Sequence, residues 1–395
     1  MKPFGGRAGR RLDPGRRVLS FYTSWYGAGR HHDEITDACA CELSTPNQDG
    51  GNKVGTAIRA GFGGNETARP AGTSRLARSD ARHRDEVTST PPAHRAGRHP
   101  SRARDAARIS YLAQVVPGLE VVARDEMRQQ LAELEVIDML RRFDERTGLL
   151  LFQTGDPASQ LLTLRTVEDV FAVLLDVAVP SVRPALHRVH SLLAASGAWE
   201  RALAAAREAR PGKGGRMTFR VIARMAGEHG FRRVDLQRAV ESGIQERFPA
   251  WRPVGEAARV EVWAHLVRGR LVAALRLSDS TLRHRSYYRA TLPAALKPTI
   301  AAAMVFLSEP RPDDVFLDPM CGSGTIVVER AQAGRYTLLL AGDSDAAALA
   351  AARENVGRRY KPIRIERWDA RHLPVDAGSV TTLVGNLPFG KRIGS

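Results

Sequence analysis

The stretch that decides the fold is VFLDPMCGSGTI, residues 315–326. It predicts a short apolar strand ending at Asp318, a glycine-rich turn with Gly322 and Gly324, and the start of a helix. Glycines let the backbone of such a turn approach a ligand, and the first N–H groups of the helix are free to bind it. The missing third glycine and the acid at the strand end argue against a dinucleotide pyrophosphate site. They suit a ligand that carries an amine and a sulfonium.

Polar residues also follow the three strands predicted after this turn. The predicted strands 336–342, 363–367 and 380–385 lead to Asp343, Asp369 and Asn386, respectively. Asp343 stands 25 residues after Asp318, where a doubly wound fold places the carboxylate that holds ribose hydroxyls. Asp369 suits an adenine amine. Open α/β sheets bind ligands outside the carboxyl ends of their strands, so the four polar strand ends together predict one ligand site.

The stretch Asn386-Leu387-Pro388-Phe389 has a specific chemical use. The Asn386 side-chain oxygen and the Leu387 carbonyl can accept both hydrogens of an exocyclic amine, while Pro388 holds the turn rigid and Phe389 stacks on the base. These hydrogen bonds direct the amine lone pair toward a methyl group, and transfer is then an in-line displacement that depends on orientation. Methylation of a pyrimidine carbon would need a cysteine here, which is absent. We interpret Cys321, in the glycine-rich turn, as a small packing residue.

The composition excludes several classes of protein. The chain has 395 residues and a net charge of +16, which favours a polyanionic partner, nucleic acid before a membrane surface. Three cysteines are too few for a disulfide scaffold, and the CxC pair at 39–41 lacks the second pair that a zinc site needs. No run of about 18 apolar residues exists to span a membrane, and the apolar stretch after Arg16 and Arg17 is too short for an export signal. We expect a cytoplasmic protein that binds no metal.

Half of the net charge lies in residues 1–108, which hold 19 Lys and Arg against 11 Asp and Glu. This segment has no sustained helical or strand period, and Gly, Pro, Ser, Thr and Arg dominate it, so we expect no packed core. Two interpretations stay open: a disordered basic extension, which we favour, and a basic arm that holds RNA without sequence preference.

Regular patterns begin at Ile109. They predict strands at 109–115, 136–143, 149–152, 172–179, 217–223, 260–267 and 271–277, and helices at 117–134, within 184–207 (two helices), at 234–248 and at 300–307. Thr166 stands three positions before an acid, which is typical of a helix N-cap. Two clusters of basic residues leave alternatives open. Arg220, Arg224, Arg232, Arg233 and Arg238 form either a basic face or an ordinary solvated surface. RHRSYYR at 283–289 is either a phosphate- and base-binding cluster or a linker hairpin.

Residues 109–395 resemble the THUMP-domain RNA guanine-N2 methyltransferases, most closely the branch that acts on tRNA. The matching stretches are LRTVEDVF, TFRVIAR, RHRSYYRATLPAALKPTIAAAMV, DPMCGSGTIVVER, GDSDAAALAAAREN and GNLPFG, of which the last three are highly specific in combination. The resemblance implies S-adenosylmethionine as the cofactor and a THUMP module that docks the 3′ end of tRNA. Residues 1–108 match nothing in the family.

The resemblance also implies roles for individual residues, carried over position by position. The implied cofactor-binding residues are Asp318, Gly322 and Gly324 at the methionine moiety, Asp343 at the ribose and Asp369 at the adenine, together with Ser323, Thr325, Ala370 and Asn386. The implied catalytic residues, which would hold the guanine amine, are Asn386, Leu387 (through its backbone), Pro388 and Phe389.

The expected fold class is α/β and α+β in several domains. After the extension 1–108, the resemblance implies a ferredoxin-like unit at 109–160, a THUMP RNA-binding domain at 161–278, a linker and lead-in helix at 279–310, and the N-terminal half of a Rossmann-like methyltransferase domain at 311–395. The family's catalytic domain continues with further helices and strands. We therefore expect an exposed sheet edge and an uncovered hydrophobic face in this chain.

Two classes of function stay open. The leading one is an S-adenosylmethionine-dependent methyltransferase, acting as a monomer on the N2 amine of a guanine in tRNA, with the acceptor-stem position 6 as the family-typical target. Within this class, 23S ribosomal RNA is the alternative substrate. The competing class is a non-catalytic RNA-binding protein in which only the THUMP half works. The methyltransferase motifs exclude the RNA thiolation and pseudouridylation carried out by other THUMP proteins.

Overall fold

The computed structural model describes residues 17–21, 41–43, 108–144, 147–212, 215–293 and 295–387. Most of the predicted extension 1–108, together with Pro388, Phe389 and the residues after them, lies outside this range. The described elements form an eight-stranded sheet, called the larger sheet below, and a six-stranded smaller sheet. Helices pack on both sheets. This architecture confirms the expected α/β and α+β fold class.

The elements between residues 109 and 277 that were predicted agree with the structure to within a few residues, apart from the start of one strand. The strands are β1 (Arg17–Phe21) and β2 (Cys41–Leu43) of the smaller sheet, and β3 (Ile109–Val115), β4 (Glu135–Asp144), β5 (Thr147–Thr154), β6 (Val167–Ala178), β7 (Thr218–Ala226), β8 (Arg252–Pro253), β9 (Val260–Val267) and β10 (Arg270–Arg276) of the larger sheet. The helices are α1 (Glu120–Gln130), α2 (Ala158–Leu161), α3 (Ala185–Ala194), α4 (Trp199–Ala209) and α5 (Arg233–Arg247). The strand with the different start is β6, whereas β1, β2, β8 and α2 were not predicted.

The larger sheet has the strand order β4-β5-β3-β6-β10-β9-β7-β8. Its pairs are antiparallel except that β7 runs parallel to β8 and β9. Helices α1 to α5 pack on one face, against a core that includes Phe219, Val221 and Leu236. The strands of the predicted ferredoxin-like and THUMP segments meet at the β3–β6 pair and form one continuous sheet. The division between these two domains stays a prediction.

Thr166 is not a helix N-cap, because the residues after it form β6. The residues from Val167 to Leu174 are all buried, since β6 lies inside the larger sheet between β3 and β10. The Thr166 N–H donates to the Glu126 carboxylate at 2.9 Å instead of facing the first turn of a helix. Long-range strand pairing therefore overrides the local capping pattern.

The five arginines of the predicted basic face lie on opposite faces of the larger sheet. Arg220 and Arg224 alternate along β7 with the buried residues that face the helices, so they lie on the other face. There Arg220 pairs with Glu261 at 3.3 Å, and Arg224 lies over the Trp263 ring. The remaining three, Arg232, Arg233 and Arg238, belong to α5 and the residue before it. The five residues therefore do not form a single basic face.

The second part of the chain forms the smaller sheet, in the strand order β13-β12-β11-β14-β1-β2. Its elements are α6 (Ser280–His284), α7 (Pro298–Leu307), β11 (Val315–Asp318), α8 (Thr325–Gln332), β12 (Leu338–Asp343), α9 (Ala346–Val356), β13 (Ile363–Arg367) and β14 (Thr382–Asn386). Strands β11 to β14 are parallel, and α7, α8 and α9 pack on one face against Phe316 and Leu339. On the other face Leu317 and Leu340 are buried beneath Trp368, so this part of the face is not uncovered, contrary to expectation.

Strand β1 corrects two further expectations. It pairs in parallel with β14, from Arg17 opposite Thr382 to Phe21 opposite Asn386, and it pairs antiparallel with β2. The edge of β14 that was expected to be exposed is therefore covered, and two short strands form in the segment expected to lack regular structure. Ladder hydrogen bonds need an extended backbone and no particular side chains, so a segment without an alternating pattern can still join a sheet edge.

Candidate active site

The glycine-rich turn joins β11 to α8, and its conformation requires glycine at two positions. Gly322 has a φ of 51° and Gly324 a φ of 77°, both in the left-handed region. A Cβ at Gly324 would lie 3.2 Å from the Ala352 Cβ, so α9 also packs closely on the turn. Gly324 directly precedes Thr325, the first residue of α8, and the turn therefore leads into the free N–H groups of a helix N-terminus.

Asp318 is a fully buried carboxylate at the carboxyl end of β11. Its Oδ1 accepts a hydrogen bond from the Met320 N–H at 3.3 Å, whereas its Oδ2 has no hydrogen-bond partner among the described residues. Burial raises the pKa of Asp318 to about 8, and the nearby Asp343 carboxylate adds to this shift. A buried acceptor without a partner is costly, so this oxygen is suited to a cationic group of a ligand.

Asp343, at the end of β12, holds the glycine-rich turn through its side chain. Its Oδ2 accepts the Gly322 N–H at 3.0 Å, and its Oδ1 accepts the Asp345 N–H, also at 3.0 Å. Asp345 in turn caps α9 by accepting the Ala347 N–H at 2.8 Å. The structure therefore brings the predicted residues Asp318, Gly322 and Asp343 together at one edge of the sheet.

Trp368, after β13, lies against the same strand ends. Its indole N–H donates to the Pro319 carbonyl at 3.0 Å, and its ring covers Gly342 so closely that a Cβ there would lie 2.0 Å from a ring carbon. Glycine at 342 is therefore required by the close approach of the ring, not by its φ. The indole fixes the position of the loop that carries the next predicted site residues.

Asp369 and Ala370 follow Trp368 and are partly exposed. The Asp369 carboxylate forms a bidentate pair with Arg371, with the Arg371 Nε at 3.0 Å from both oxygens, and it also accepts the Arg371 N–H at 2.9 Å. These hydrogen bonds hold the pKa of Asp369 well below its usual range. A ligand amine at this carboxylate would have to share it with Arg371.

Asn386 is the last residue of β14, and Leu387 follows it. Strand β14 pairs in parallel with β11, and a Cβ at Gly385 would lie 3.4 Å from the Pro319 ring. Asn386 therefore follows a residue that approaches the start of the glycine-rich turn. Pro388 and Phe389, the other two predicted acceptor residues, lie outside the described residues.

Three small residues of the turn are buried: Cys321, Ser323 and Thr325. The Cys321 N–H donates to the Gly342 carbonyl at 2.9 Å, and burial, with Asp318 and Asp343 nearby, raises the pKa of the Cys321 thiol far above its usual range. An un-ionised thiol is a poor nucleophile, in agreement with a packing role. The Ser323 and Thr325 hydroxyls lie 3.3 Å apart within the turn.

Both tyrosines and the first two arginines of RHRSYYR form packing or ion-pair contacts, whereas Arg289 is exposed. Tyr287 is 7% exposed, and its hydroxyl donates to the Glu329 carboxylate at 2.7 Å. Burial and the adjacent Glu329 carboxylate raise the pKa of Tyr287, so its hydroxyl remains a donor. Arg283 pairs with the buried Asp169, and Arg285 pairs with Glu329. These contacts favour the linker interpretation over base stacking and phosphate binding.

Two buried polar residues beside the turn, Glu329 on α8 and Asn355 on α9, were missed in the sequence analysis. Glu329 is 1% exposed and Asn355 is 4% exposed. Each lies in the buried stripe of its helix, with buried residues three and four positions earlier. A polar side chain at such a position needs a specific hydrogen-bond partner, and this is the signal that would have identified both residues.

Within the described ranges, no three His, Cys, Asp or Glu side chains are grouped so that they could hold a metal ion. No helix in these ranges is both long and apolar enough to cross a membrane.

Comparison with known proteins identifies the domain that carries this site. Residues 285–395 match the family described as UPF0020, RMKL-like, methyltransferase domain. The chain is 34% identical over 191 residues to the tRNA (guanine(6)-N(2))-methyltransferase THUMP3 of Mus musculus, a match that covers 45% of this chain and 37% of that protein. It is 36% identical over 183 residues to the tRNA (guanine(6)-N2)-methyltransferase of Thermus thermophilus, with 45% and 53% covered. The matches thus span roughly two fifths to one half of the length of these curated relatives.

A solved structure, TrmN from Thermus thermophilus, is similar in fold. It is 26% identical with a TM-score of 0.56, and the match covers 71% of this chain and 80% of that chain. The structural similarity therefore extends well beyond the segment that matches the family model. The family match, the sequence relatives and this fold agree in one respect: residues 285–395 are similar to the RMKL-like methyltransferase domain.

Proposed function

We propose that this chain is an S-adenosylmethionine-dependent methyltransferase that acts on the exocyclic N2 amine of a guanine in tRNA. The methyltransferase domain supports the reaction type, and the names of the relatives from Mus musculus and Thermus thermophilus support guanine in tRNA as the substrate. One observation carries the proposal: the Asp318 Oδ2 atom is buried beside the glycine-rich turn and has no hydrogen-bond partner among the described residues, so it can accept a cationic group of the cofactor.

The described residues fit this cofactor. The unpartnered carboxylate oxygen of Asp318 suits the cationic amine of the methionine moiety, and the left-handed Gly322 and Gly324 let the backbone come close to it. Asp343 suits the ribose hydroxyls, although its carboxylate already accepts the Gly322 and Asp345 N–H groups. A carboxylate has about four lone-pair sites, so Asp343 can accept further hydrogen bonds from a ribose.

The acceptor side of the proposal rests on Asn386 and Leu387. The bound cofactor supplies an electrophilic methyl group. The Asn386 side-chain oxygen and the Leu387 carbonyl accept the two amine hydrogens, which orients the lone pair of the guanine nitrogen toward that methyl group. Pro388 and Phe389 complete the acceptor site in this proposal, by rigidity and by stacking on the base.

Cofactor binding is expected to depend on pH through Asp318. Because the pKa of this buried carboxyl is about 8, it is protonated at neutral pH, whereas a bound cation favours the carboxylate. Binding therefore releases a proton, and affinity should rise by up to about tenfold per unit as the pH approaches about 8 from below. At higher pH the affinity should fall again, because the amine of the ligand loses its own proton. Isothermal titration calorimetry of S-adenosylmethionine with the full chain measures this profile.

The Asp318→Asn variant should bind the cofactor more weakly and without the rise in affinity toward about pH 8, whereas Asp376→Asn, at an exposed acid in the same domain, should behave like the unaltered chain. A pH-independent affinity of the unaltered chain would contradict the role of Asp318 alone. No detectable cofactor binding with retained RNA binding would instead favour the non-catalytic RNA-binding function.

The proposal includes the site at which the RNA is held. We propose that the THUMP segment docks the 3′ end of tRNA, which is supported by the family resemblance of residues 161–278. Bases that stack on a protein surface contribute about 1–3 kcal/mol each, so tRNA without its 3′-terminal nucleotides should bind at least about tenfold more weakly. Fluorescence anisotropy measures this, with tRNA shortened equally at the 5′ end as the control. Equal affinity for the two shortened tRNAs would contradict 3′-end docking.

The remaining parts of the proposal are the acceptor-stem position 6, a monomeric state and a cytoplasmic location. Mapping the methylated nucleotide tests the first, and it also distinguishes tRNA from 23S ribosomal RNA as the substrate. Preferential methylation of a ribosomal RNA fragment would favour the alternative substrate.

A further inference from the structure

The linker between the two sheets is fastened directly to the glycine-rich turn by Asn355 of α9. The Asn355 Oδ1 atom accepts the Arg289 N–H at 2.8 Å and the Ala290 N–H at 2.9 Å. Its Nδ2 group donates to the Ala290 carbonyl and to the Ser323 carbonyl, both at 2.9 Å. One buried amide therefore makes two accepted and two donated hydrogen bonds, which is its full capacity. Three of these bonds go to the linker and one goes to the turn.

A second connection runs from the larger sheet to α8 through Glu329. Its carboxylate accepts the Arg165 Nε–H at 2.6 Å, the Arg285 Nε–H at 3.1 Å and the Tyr287 hydroxyl at 2.7 Å. Arg165 lies two residues before β6 of the larger sheet, whereas Arg285 and Tyr287 belong to the linker. Arg285 also donates to the Arg165 carbonyl, which joins the two segments to each other.

The segment around Arg165 is itself anchored to the helical layer of the larger sheet. The Glu126 carboxylate on α1 accepts the Arg165 N–H at 2.8 Å and the Thr166 N–H at 2.9 Å. A continuous chain of buried and half-buried hydrogen bonds thus leads from α1, through the residues before β6, to Glu329 on α8. The Arg165 Nη2 atom has no hydrogen-bond partner among the described residues, whereas the Glu329 carboxylate accepts three hydrogen bonds, and shared contacts of this kind restrict the elements that they join.

The two connections reach the turn that carries the candidate site and the helix that follows it. Ser323, whose carbonyl is held by Asn355, lies between the two left-handed glycines, and Glu329 lies one helical turn after Thr325. Glycine has more conformational freedom than other residues, so a turn with two left-handed glycines depends on outside contacts to keep one conformation. Asn355 supplies such a contact at Ser323, and Glu329 holds α8, which follows the turn; both residues are also bonded to the linker.

We propose that Asn355 and Glu329 are positioning residues that fasten the linker 285–290 to the glycine-rich turn and α8, so that the larger sheet and the turn are held in one relative arrangement. This inference rests on the proposed function. In that function the larger sheet carries the THUMP segment that binds RNA and the glycine-rich turn binds the cofactor, so a fixed arrangement of the two sets the position of the RNA relative to the cofactor. A merely structural role of the two residues would stabilise the fold without setting the conformation of the turn.

Hydrogen exchange of the full chain separates these two roles. The Gly322 and Gly324 N–H groups donate to Asp343 and to the Cys321 carbonyl, so Asn355 does not touch them. In Asn355→Asp, a carboxylate oxygen replaces the donor and faces the Ala290 and Ser323 carbonyls. We expect exchange of residues 321–325 to become on the order of tenfold faster and S-adenosylmethionine affinity to fall on the order of tenfold, while α3 and α5 exchange as before.

The matched control is Glu354→Gln, since Glu354 is exposed and lies one residue before Asn355 on the same helix. It should leave the exchange of residues 321–325 and the cofactor affinity unchanged. If Asn355→Asp does not fold, Tyr287→Phe removes only the hydroxyl bond to Glu329 and should speed the same exchange a few-fold.

Two results would overturn the inference. The first is faster exchange at Arg289 and Ala290 alone, with the turn amides as slow as in the unaltered chain. The second is a uniform increase of exchange in all elements, which is the signature of general destabilisation. If the unaltered chain binds no S-adenosylmethionine, the proposed function fails, and the exchange of the turn still decides whether Asn355 positions it.

Discussion

Asn386→Ala is expected to abolish methyl transfer to tRNA while it spares the affinity for S-adenosylmethionine. The variant removes one of the two oxygens that accept the guanine amine hydrogens in the proposed site, and Leu387 alone cannot orient the amine. Loss of one preoriented hydrogen-bonding group in an active site lowers turnover by about 10²–10³-fold. Because Asn386 ends β14 and is partly exposed, the substitution leaves the core of the sheet intact.

Transfer of a labelled methyl group to tRNA, relative to the unaltered chain, measures this effect, and calorimetry measures the cofactor affinity. Asn386→Asp is the matched control, since a carboxylate oxygen can still accept an amine hydrogen, and it should retain much more activity than Asn386→Ala. Unchanged turnover of Asn386→Ala would refute the role of this side chain at the amine. Lost cofactor binding in the same variant would show instead that Asn386 shapes the cofactor site.

Arg330→Met is expected to cause the largest loss of stability, at about 3–5 kcal/mol. Arg330 is fully buried on α8 and donates to the Asp314 carboxylate at 2.8 Å and to the Arg311 carbonyl at 2.7 Å. Asp314, which is 1% exposed, also accepts the Thr382 hydroxyl at 3.1 Å. The pair thus joins α8 to the segment before β11 and to the start of β14. Removing the guanidinium leaves an uncompensated charge inside the protein.

Urea denaturation followed by circular dichroism measures the change in the free energy of unfolding. Arg335→Met is the control, because the Arg335 side chain is exposed: the substitution removes the same charge and keeps the Arg335 backbone carbonyl, which accepts a hydrogen bond from the Arg330 Nη2 atom at 3.1 Å. The double variant Arg330→Met with Asp314→Asn should recover part of the loss, since it removes the buried charge that the single variant leaves. A single variant as stable as Arg335→Met would show that the buried pair contributes nothing.

Residues close together in the sequence account for most of what could be predicted about the site. The apolar stretch before Asp318 and the paired glycines after it predict a strand, a turn and a helix, and the structure has β11, the left-handed Gly322 and Gly324, and α8 in that order. Asp343 was placed at a strand end by its spacing from Asp318, and its side chain contacts the turn. Such predictions succeed because the carboxyl ends of parallel strands share one edge of a sheet.

Residues whose role depends on distant partners were the ones that could not be predicted. Thr166 has the local pattern of a helix cap, yet the residues after it lie inside the larger sheet. Tyr287 suits base stacking by its residue type, yet its hydroxyl is bonded to a buried carboxylate 42 residues later. The local pattern is the same in both outcomes, and the free energy of burial and pairing decides between them.

By itself, the sequence determined the order of most strands and helices after residue 108, the glycine-rich turn and the polar residues at the strand ends, because these follow from hydrophobic periodicity and from the backbone freedom of glycine. Only the tertiary structure decided that β1 covers the edge of β14 and that Arg220 and Arg224 lie apart from the arginines of α5. It also decided that Asn355 joins the linker to the turn. These features depend on which surfaces of distant segments meet, and a buried amide or carboxylate shows its purpose only when its hydrogen-bond partners are in place.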